Sequence, residues 1–169
     1  MCDMGDGGDN GGGDNGGGTN PDPGSYYDSI TTQTGYTLKT ALHNLINNHT
    51  TRGYSAIWTF YSSNALDTYY EKDGTILDIY SENPNGSDPY NFTKVSNQCG
   101  SYSGEGDCYN REHSFPRSWF GGDIEPMNSD IHHIFATDGK VNSVRSSYPY
   151  GEVASASYTS ANGSKLGSA

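Results

Sequence analysis

Hydrophobic positions recur with helical spacing in the first patterned stretch of the chain. In TGYTLKTALHNLINNH the apolar residues fall one, three or four positions apart, namely Leu38, Ala41, Leu42, Leu45 and Ile46. This spacing predicts an amphipathic helix with Thr37 as its N-cap. Residues 54–70 hold a second set of apolar and aromatic positions, and they predict another helix or helical core segment.

Shorter alternating stretches predict strands farther along the chain. TILDIYS alternates in this way, whereas SENPNGSDPYNF contains two prolines and predicts a loop. DIHHIFA also alternates, and Thr137 after it is the expected cap of a helix that begins at Asp138 and ends before Pro149. With YNREHSFP upstream, the predicted order is strand, strand, short helix. After Gly151 the polar sequence predicts no closing element.

The first 24 residues differ from the rest of the chain in composition. They contain ten glycines and five aspartates but no lysine, arginine or aromatic residue. Such a segment cannot bury enough surface to offset chain entropy. We therefore predict a disordered Gly/Asp-rich tether over residues 1–24 and one domain over residues 25–169, a length that fits a single domain.

Charge and hydropathy narrow the classes of protein to consider. The net charge is −11, and −6 remains without the tether, so global charge does not indicate nucleic-acid binding. No stretch approaches the roughly 20 apolar residues of a membrane span. Met1-Cys2 ahead of the tether is nevertheless typical of a mature lipoprotein, in which a lipidated Cys2 attaches the protein to a membrane. An incidental cysteine is the alternative.

Two further cysteines form a candidate disulfide. Cys99 and Cys108 are separated by GSYSGEGD, whose three glycines let the segment turn back on itself. A disulfide here fits an oxidising compartment. Two buried free thiols are the alternative.

Several groups that bind or support a hard divalent cation fall within the predicted strand-strand-helix unit. They are Glu112, His113, Asp130, His132 and Asn142. Carboxylate and amide oxygens suit Mg²⁺, and an imidazole can take a proton from water at neutral pH. Three arginines nearby are candidates for phosphate contact, namely Arg111, Arg117 and Arg145. Adjacent residues of a regular strand point to opposite faces, so Glu112 and His113 require a strand end or irregularity to serve one phosphate.

At these residues the chain resembles a known family. CYNREHSFPRSWFGG followed by PMNSDIHHIFATDGKVNSVRSSYPYGEV is similar to the bacterial endonuclease I family of secreted or periplasmic nucleases. The resemblance continues upstream through TLKTALHNLI, LDIYS and GEGDC, so it covers most of the chain beyond the tether. It implies an α+β fold, in which a ββα-metal core of the His-Me finger type is joined by additional N-terminal helices.

The resemblance also implies roles for matching positions. His113 is the implied general base, and Glu112 and Asn142 are the implied ligands of one Mg²⁺ ion, with Mn²⁺ or Ca²⁺ as substitutes in binding. Asp130 and His132 match supporting positions that orient the base or the ligands.

The same resemblance implies an activity and a setting. Arg145 matches a family arginine, and phosphate contact is expected from it and from Arg111 and Arg117. The expected reaction is largely sequence-independent hydrolysis of DNA, with RNA as a second candidate, to 5′-phosphate and 3′-hydroxyl ends. We expect a monomer outside the cytoplasm, as a secreted, periplasmic or surface lipoprotein.

Two departures from the family pattern are evident. Ser143-Val144 and Ser147 stand where family members often have glycine and asparagine. Family members also usually continue past NGSKLG, so we expect this chain to lack the C-terminal part of the family's domain.

Two other interpretations of the sequence stay open. A surface-anchored carbohydrate- or ligand-binding module without catalysis would use the tyrosines and tryptophans for contact. Alternatively, structural zinc would fill the ββα site, although the chain has no Cys-x-x-Cys pair.

Overall fold

The structure is a computed structural model that describes residues 24–47 and 49–169. These residues fall into two compact units that divide between His49 and Thr50. The predicted tether lies outside the described residues except for Gly24, and Cys2 with its predicted lipid lies outside them as well. Within the described ranges, no helix is both long and apolar enough to cross a membrane.

The first unit contains the predicted amphipathic helix. A 3-10 segment, Gly24–Ile30, precedes helix α1, Gly35–Ile46. The N-cap of α1 is Thr34 rather than the predicted Thr37, because the Thr34 carbonyl already accepts a hydrogen bond from the Leu38 N–H at 3.2 Å. The first helical turn therefore closes one turn earlier than the apolar pattern indicated.

The second unit, residues 50–169, mixes helices with two antiparallel strand pairs. In chain order its elements are α2 (Ala56–Asn64), β1 (Tyr109–His113), a 3-10 turn (Arg117–Trp119), β2 (Ile134–Asp138), α3 (Gly139–Arg145), β3 (Ser155–Thr159) and β4 (Lys165–Ser168). This mixture confirms the predicted α+β class.

The core of the second unit lies between α2 and the first strand pair. Its buried members are Ile57, Tyr61, Ile76, Phe92, Tyr109, Ile134 and Ala136. Burial of each isoleucine or phenylalanine side chain among them contributes about 1.5–3 kcal/mol. Helix α2 is shorter than predicted for residues 54–70, because the chain leaves the helix and pairs Leu66 with Ile76 in an isolated bridge.

A strand-strand-helix unit forms the other side of this core. β1 and β2 are antiparallel, with Tyr109 opposite Asp138 and His113 opposite Ile134. α3 follows β2 directly, and the Asp138 carboxylate caps it by accepting from the Val141 N–H at 2.8 Å. Asp138 thus takes the capping role that was predicted for Thr137, which is buried within β2. The order of these elements is the predicted one.

Two predicted strands differ from the structure. TILDIYS contributes the Ile76 bridge and then a turn, in which the Asp78 carboxylate accepts from the Tyr80 N–H at 2.9 Å and the Ser81 hydroxyl at 2.8 Å. In DIHHIFA, the residues up to His133 form a turn and β2 begins only at Ile134. In both cases hydrogen bonds that aspartate carboxylates accept favour a turn over the extended backbone that the alternation predicted.

The polar C-terminal stretch forms a hairpin that was not predicted. β3 and β4 pair antiparallel, with Ser155 opposite Ser168 and Thr159 opposite Lys165. Most of their residues are exposed. Because neither face of the hairpin is strongly apolar, its sequence carries little of the alternation by which strands are recognised.

Cys99 and Cys108 form a disulfide, so the predicted pairing is confirmed and the alternative of free thiols is wrong. The bridge lies against the start of α3. A Cβ atom added to Gly139 would lie 2.5 Å from the Cys99 Sγ and 3.0 Å from Cδ1 of Tyr102, and the Gly139 N–H donates to the Cys108 carbonyl at 2.9 Å. Glycine at this position lets the disulfide loop pack directly on the helix.

Candidate active site

Glu112 and His113 lie at the end of β1, and both are buried. The strand ends at His113, which is the strand-end location that two adjacent site residues require. Their side chains nevertheless meet different groups, as expected for neighbours on a strand. Glu112 contacts an arginine and two tyrosines, whereas His113 lies among aromatic rings.

The Glu112 carboxylate accepts three hydrogen bonds on one oxygen. Tyr80 Oη and Arg145 Nη1 each donate to Oε1 at 2.8 Å, and Tyr150 Oη donates at 3.3 Å. Burial raises the pKa of Glu112 above its usual range, although the hydrogen bond from Tyr80 and the charge of Arg145 oppose that rise. No donor among the described residues reaches Oε2, so this second oxygen is available to a ligand.

Arg145 holds the end of β1 against the chain that follows α3. Besides Glu112, its guanidinium donates from Nη1 to the His113 carbonyl at 2.9 Å, from Nη2 to the Ser114 carbonyl at 2.8 Å and from Nε to the Tyr148 carbonyl at 3.0 Å. A guanidinium has five N–H groups, and four of them are used here. One N–H group is therefore left for a ligand, and the expected role of Arg145 in phosphate contact stays a prediction.

Asn142 lies one turn before Arg145 on α3 and is half-buried. Residues three apart share a helix face. Asn142 therefore lies on the same side of α3 as Arg145, which pairs with Glu112. Its side-chain amide makes no hydrogen bond within the described part of the chain. The structure thus brings the helix of one predicted ligand to the strand of the other, and ligation itself stays a prediction.

His113 is held as a neutral imidazole. Its Nε2 lies 3.2 Å from the Asn128 carbonyl oxygen, which can only accept, so Nε2 carries the hydrogen and Nδ1 is the basic nitrogen. The pKa of His113 is lowered to about 4, chiefly by burial and to a smaller extent by His133 and the charges of Arg117 and Arg111, while the hydrogen bond to Asn128 opposes the shift. The ring is therefore unprotonated at neutral pH.

Aromatic rings surround this imidazole. The ring centroids of Tyr54 and His133 each lie 5.7 Å from that of His113, and that of Phe120 lies 6.0 Å away. They cover most of the imidazole, and this burial is the main cause of its lowered pKa. His133 Nε2 is buried and has no hydrogen-bond partner within the described residues.

The predicted supporting pair lies elsewhere. The His132 side chain is 89% exposed, and its Nδ1 lies 2.7 Å from Asp130 Oδ1 in the turn before β2. Burial raises the pKa of Asp130, but the backbone and ring hydrogen bonds from His132 outweigh it and leave the pKa below its usual value. The structure therefore places His133, rather than His132, against His113. The His-His pair was the signal, since only one of two adjacent side chains can face inward.

Arg111 and Arg117 form a cationic group around Tyr54. Arg111 Cζ lies 3.6 Å from the Tyr54 ring centroid and 4.3 Å from that of Trp58, and Nη1 donates to the Tyr54 carbonyl at 3.0 Å. Arg117 Cζ lies 5.3 Å from the Tyr54 centroid, and Arg117 also pairs with Asp123. These cation–π contacts hold positive charge beside the imidazole, and a role in binding phosphate stays a prediction.

Three carboxylates converge at a separate place in the second unit. Oxygens of Asp67, Glu71 and Glu82 lie within 4.8 Å of one another, close enough to bind one cation. Neither Glu82 oxygen is exposed or hydrogen-bonded within the described residues, and burial together with the charge of Asp88 raises its pKa to about 7. The cluster contains no histidine and does not include Glu112, so it gives no support to the zinc interpretation.

The geometry defines the class of the site. An antiparallel strand pair runs directly into a helix, with a buried acid and a neutral histidine at the strand end, which is the ββα arrangement. Over residues 34–169 the chain matches the model of the Endonuclease I family, and it belongs to that family.

Two curated relatives are both extracellular ribonucleases by name. The chain is 30% identical over 126 residues to the extracellular ribonuclease of Bacillus subtilis (strain 168), an alignment that covers 73% of this chain and 38% of the relative. It is 33% identical over 126 residues to the extracellular ribonuclease of Bacillus amyloliquefaciens, with the same coverage of both chains. The alignment thus spans well under half the length of these relatives. No solved structure matches the chain.

Proposed function

We propose that this protein is a Mg²⁺-dependent endonuclease that hydrolyses phosphodiester bonds of nucleic acid with His113 as general base. The observation that carries the proposal is the imidazole at the end of β1, whose Nε2 is held by the Asn128 carbonyl and whose Nδ1 remains basic. The extracellular ribonuclease names of the relatives support the reaction class and RNA as a substrate. DNA is the other proposed substrate.

His113 removes a proton from the water that attacks phosphorus. The fixed hydrogen bond to Asn128 sets the tautomer and orientation of the ring before substrate binds. The surrounding rings of Tyr54, Phe120 and His133 keep the imidazole unprotonated. A base that is already neutral and oriented needs no rearrangement to accept the proton at Nδ1.

Glu112 and Asn142 are the groups that would hold Mg²⁺. Their fit to a hard cation is supported by Glu112 Oε2, which has no donor among the described residues although Oε1 has three. The side-chain amide of Asn142, which makes no hydrogen bond within the described residues, supports it as well. When bound, the cation supplies positive charge to phosphate oxygens in the transition state. Because Arg145 already offsets the charge of Glu112, we expect metal affinity to be modest.

Arg111 and Arg117 are the proposed contacts for substrate phosphates. Both guanidinium groups lie against Tyr54, which is itself a neighbour of His113. Since the net charge of the whole chain is −11, binding depends on this local positive charge. Affinity should therefore fall steeply as salt concentration rises and depend little on base sequence.

The proposed setting is outside the cytoplasm. The Cys99–Cys108 disulfide fits an oxidising compartment, and both relatives are named as extracellular. A monomer and a lipid on Cys2 are part of the same proposal. Incorporation of labelled fatty acid that is lost in Cys2→Ser would support the lipid, and equal labelling of both proteins would contradict it.

The direct test is cleavage of plasmid DNA and of single-stranded RNA with Mg²⁺ or with EDTA. We expect cleavage by the unmodified protein in Mg²⁺ only, and 5′-phosphate ends on the products. His113→Ala should lose at least about 100-fold in rate, because the general base is removed. Circular dichroism establishes that the variant is folded.

His43→Ala is the matched control, because His43 is exposed on α1. It should retain the activity of the unmodified protein. Cleavage that persists in His113→Ala would contradict the role of the base. No cleavage by the folded unmodified protein with Mg²⁺, Mn²⁺ or Ca²⁺ would contradict the nuclease function.

A further inference from the structure

Two large aromatic side chains just beyond His113 are exposed. Phe115 is 48% and Trp119 is 51% exposed, and their rings lie 5.4 Å apart at 87°. Phe120 connects them to the base: it is stacked on Phe115 with centroids 6.1 Å apart, and it lies 6.0 Å from His113. A line of aromatic rings therefore runs from the candidate base to the surface.

We propose that Phe115 and Trp119 form a stacking platform for unpaired nucleobases, so that the protein prefers single-stranded nucleic acid. The location of the platform beside the scissile phosphate rests on the proposed nuclease function. Every base has a π-face that stacks on an aromatic ring, whatever the base sequence. In a duplex those faces are covered by neighbouring base pairs, and the platform cannot reach them.

Backbone hydrogen bonds fix the segment that carries the platform. The Trp119 N–H donates to the Pro116 carbonyl at 2.9 Å, and the Phe120 and Gly122 N–H groups donate to the Arg117 carbonyl at 3.2 and 2.8 Å. A platform that is ordered before binding loses little conformational entropy when a base stacks on it. The exposed rings are thus presented on a fixed turn.

Charge next to the platform favours nucleic acid over an apolar occupant. Arg117 lies between Phe115 and Trp119 in the sequence, and its guanidinium faces the Tyr54 ring that also binds Arg111. Its partner Asp123 is 82% exposed, and an ion pair so open to solvent is weak enough for a phosphate to replace it. Exposed rings and adjoining cations match a nucleotide, which offers a flat base and an anionic backbone together.

Binding can be measured without cleavage. Fluorescein-labelled 12-mers of thymidine, of uridine and of abasic deoxyribose are titrated in EDTA and followed by anisotropy. We expect Phe115→Ala and Trp119→Ala to weaken thymidine or uridine binding about tenfold each, and to leave binding of the abasic strand unchanged. Weaker binding of both the thymidine and the uridine strand would support a platform that takes bases of DNA and RNA alike. Weaker binding of only one strand would identify the nucleic acid that uses the platform.

Another exposed aromatic pair of this unit, Tyr69 and Tyr70, provides a matched control. Tyr69 and Tyr70 also meet edge to face, with centroids 5.3 Å apart, but they adjoin the carboxylate of Asp67 rather than an arginine. Tyr69→Ala should therefore bind all three strands like the unmodified protein. Equal binding of the thymidine and uridine strands by Trp119→Ala and the unmodified protein would overturn the platform, as would an equal loss for the abasic strand.

Cleavage kinetics complete the test. For one sequence presented as a single strand and as a duplex, Trp119→Ala should reduce kcat/KM about tenfold on the single strand and less than about threefold on the duplex. An equal loss of kcat/KM on the single strand and on the duplex would overturn the proposed preference for single-stranded nucleic acid. If the unmodified protein cleaves neither substrate, the nuclease proposal fails while the anisotropy titrations still decide whether bases stack here.

Discussion

Arg145 Nη1 lies 2.8 Å from Glu112 Oε1, and the two side chains are 10% and 3% exposed. Removing one partner of so buried a pair leaves the other charge without compensation. We therefore expect Arg145→Met to lower the free energy of unfolding by about 3–5 kcal/mol. Arg145→Lys should recover only part of the loss, since an ammonium group cannot reach Glu112 and three separate carbonyls. Urea denaturation measures the free energy of unfolding of both variants.

The control for Arg145 is another arginine of the same unit. Arg52 is exposed, and Arg52→Met should change stability by less than about 0.5 kcal/mol. If Arg145→Met were as stable as Arg52→Met, Arg145 would not hold the end of β1 as described.

Tyr80 and Tyr150 donate to the same oxygen of Glu112 but at different distances, 2.8 and 3.3 Å. Tyr80 also lies in a turn fixed by Asp78. We expect Tyr80→Phe to lower stability by about 1.5–3 kcal/mol, the range for hydrogen bonds to charged groups, and Tyr150→Phe to lower it by less. The Mg²⁺ concentration for half-maximal cleavage should rise about tenfold in Tyr80→Phe, because the proposed ligand loses an orienting partner. Equal effects of the two substitutions would contradict the ranking.

The order of elements around the site was predictable from sequence because it depends on local signals. Apolar spacing located α1, and the capping sequence Thr137-Asp138 located the start of α3 to within one residue, although α3 ends at Arg145, earlier than Pro149 required. A strand end or an irregularity near Glu112 and His113 was expected if these adjacent residues serve one phosphate, and β1 does end at His113. These inferences use neighbours in the chain, so they require no knowledge of packing.

The partners of the site residues were not predictable in the same way. Tyr80 reaches Glu112 across 32 positions of sequence and Tyr54 reaches Arg111 across 57. No local pattern encodes such contacts. The role of Arg145 also depends on them, because a guanidinium that bonds Glu112 and three carbonyls looks the same in sequence as one that awaits a phosphate. The structure shows the four protein hydrogen bonds of Arg145, and its contact with phosphate stays a prediction.

His133, rather than His132, is expected to influence the base. The His133 ring lies 5.7 Å from that of His113, whereas the His132 side chain is 89% exposed. His133→Ala opens space beside the imidazole, and we expect about a tenfold loss in cleavage rate because the base is less well oriented. His132→Ala should lose less than about threefold. A larger loss in His132→Ala, with both proteins folded by circular dichroism, would contradict this expectation and support His132 as the supporting residue predicted from sequence.

The Cys99–Cys108 disulfide is expected to stabilise the second unit. It closes a short loop with a sequence separation of 9, for which restriction of the unfolded chain predicts about 2–3 kcal/mol. The double variant Cys99→Ser, Cys108→Ser should lose stability of that order in urea denaturation, and adding a reductant should affect the unmodified protein but not the variant. A reductant that leaves the unmodified protein unchanged would contradict this expectation, provided that thiol titration confirms reduction.

Glu82 should make stability fall as pH rises. Burial and the charge of Asp88, followed by that of Glu71, raise its pKa from 4.5 to about 7. At a pH between these two values the carboxyl group keeps its proton in the folded protein but loses it in the unfolded chain. Unfolding therefore becomes more favourable as pH rises through this window, and the destabilisation is complete above the folded pKa.

Glu82→Gln cannot ionise, and it should have a higher Tm than the unmodified protein at pH 8 but a similar one at pH 4.5. Thermal denaturation in EDTA between these pH values measures the difference, with the exposed Glu152→Gln as control. If Glu82→Gln and Glu152→Gln showed the same dependence of Tm on pH, the Glu82 carboxylate would not be the group that titrates.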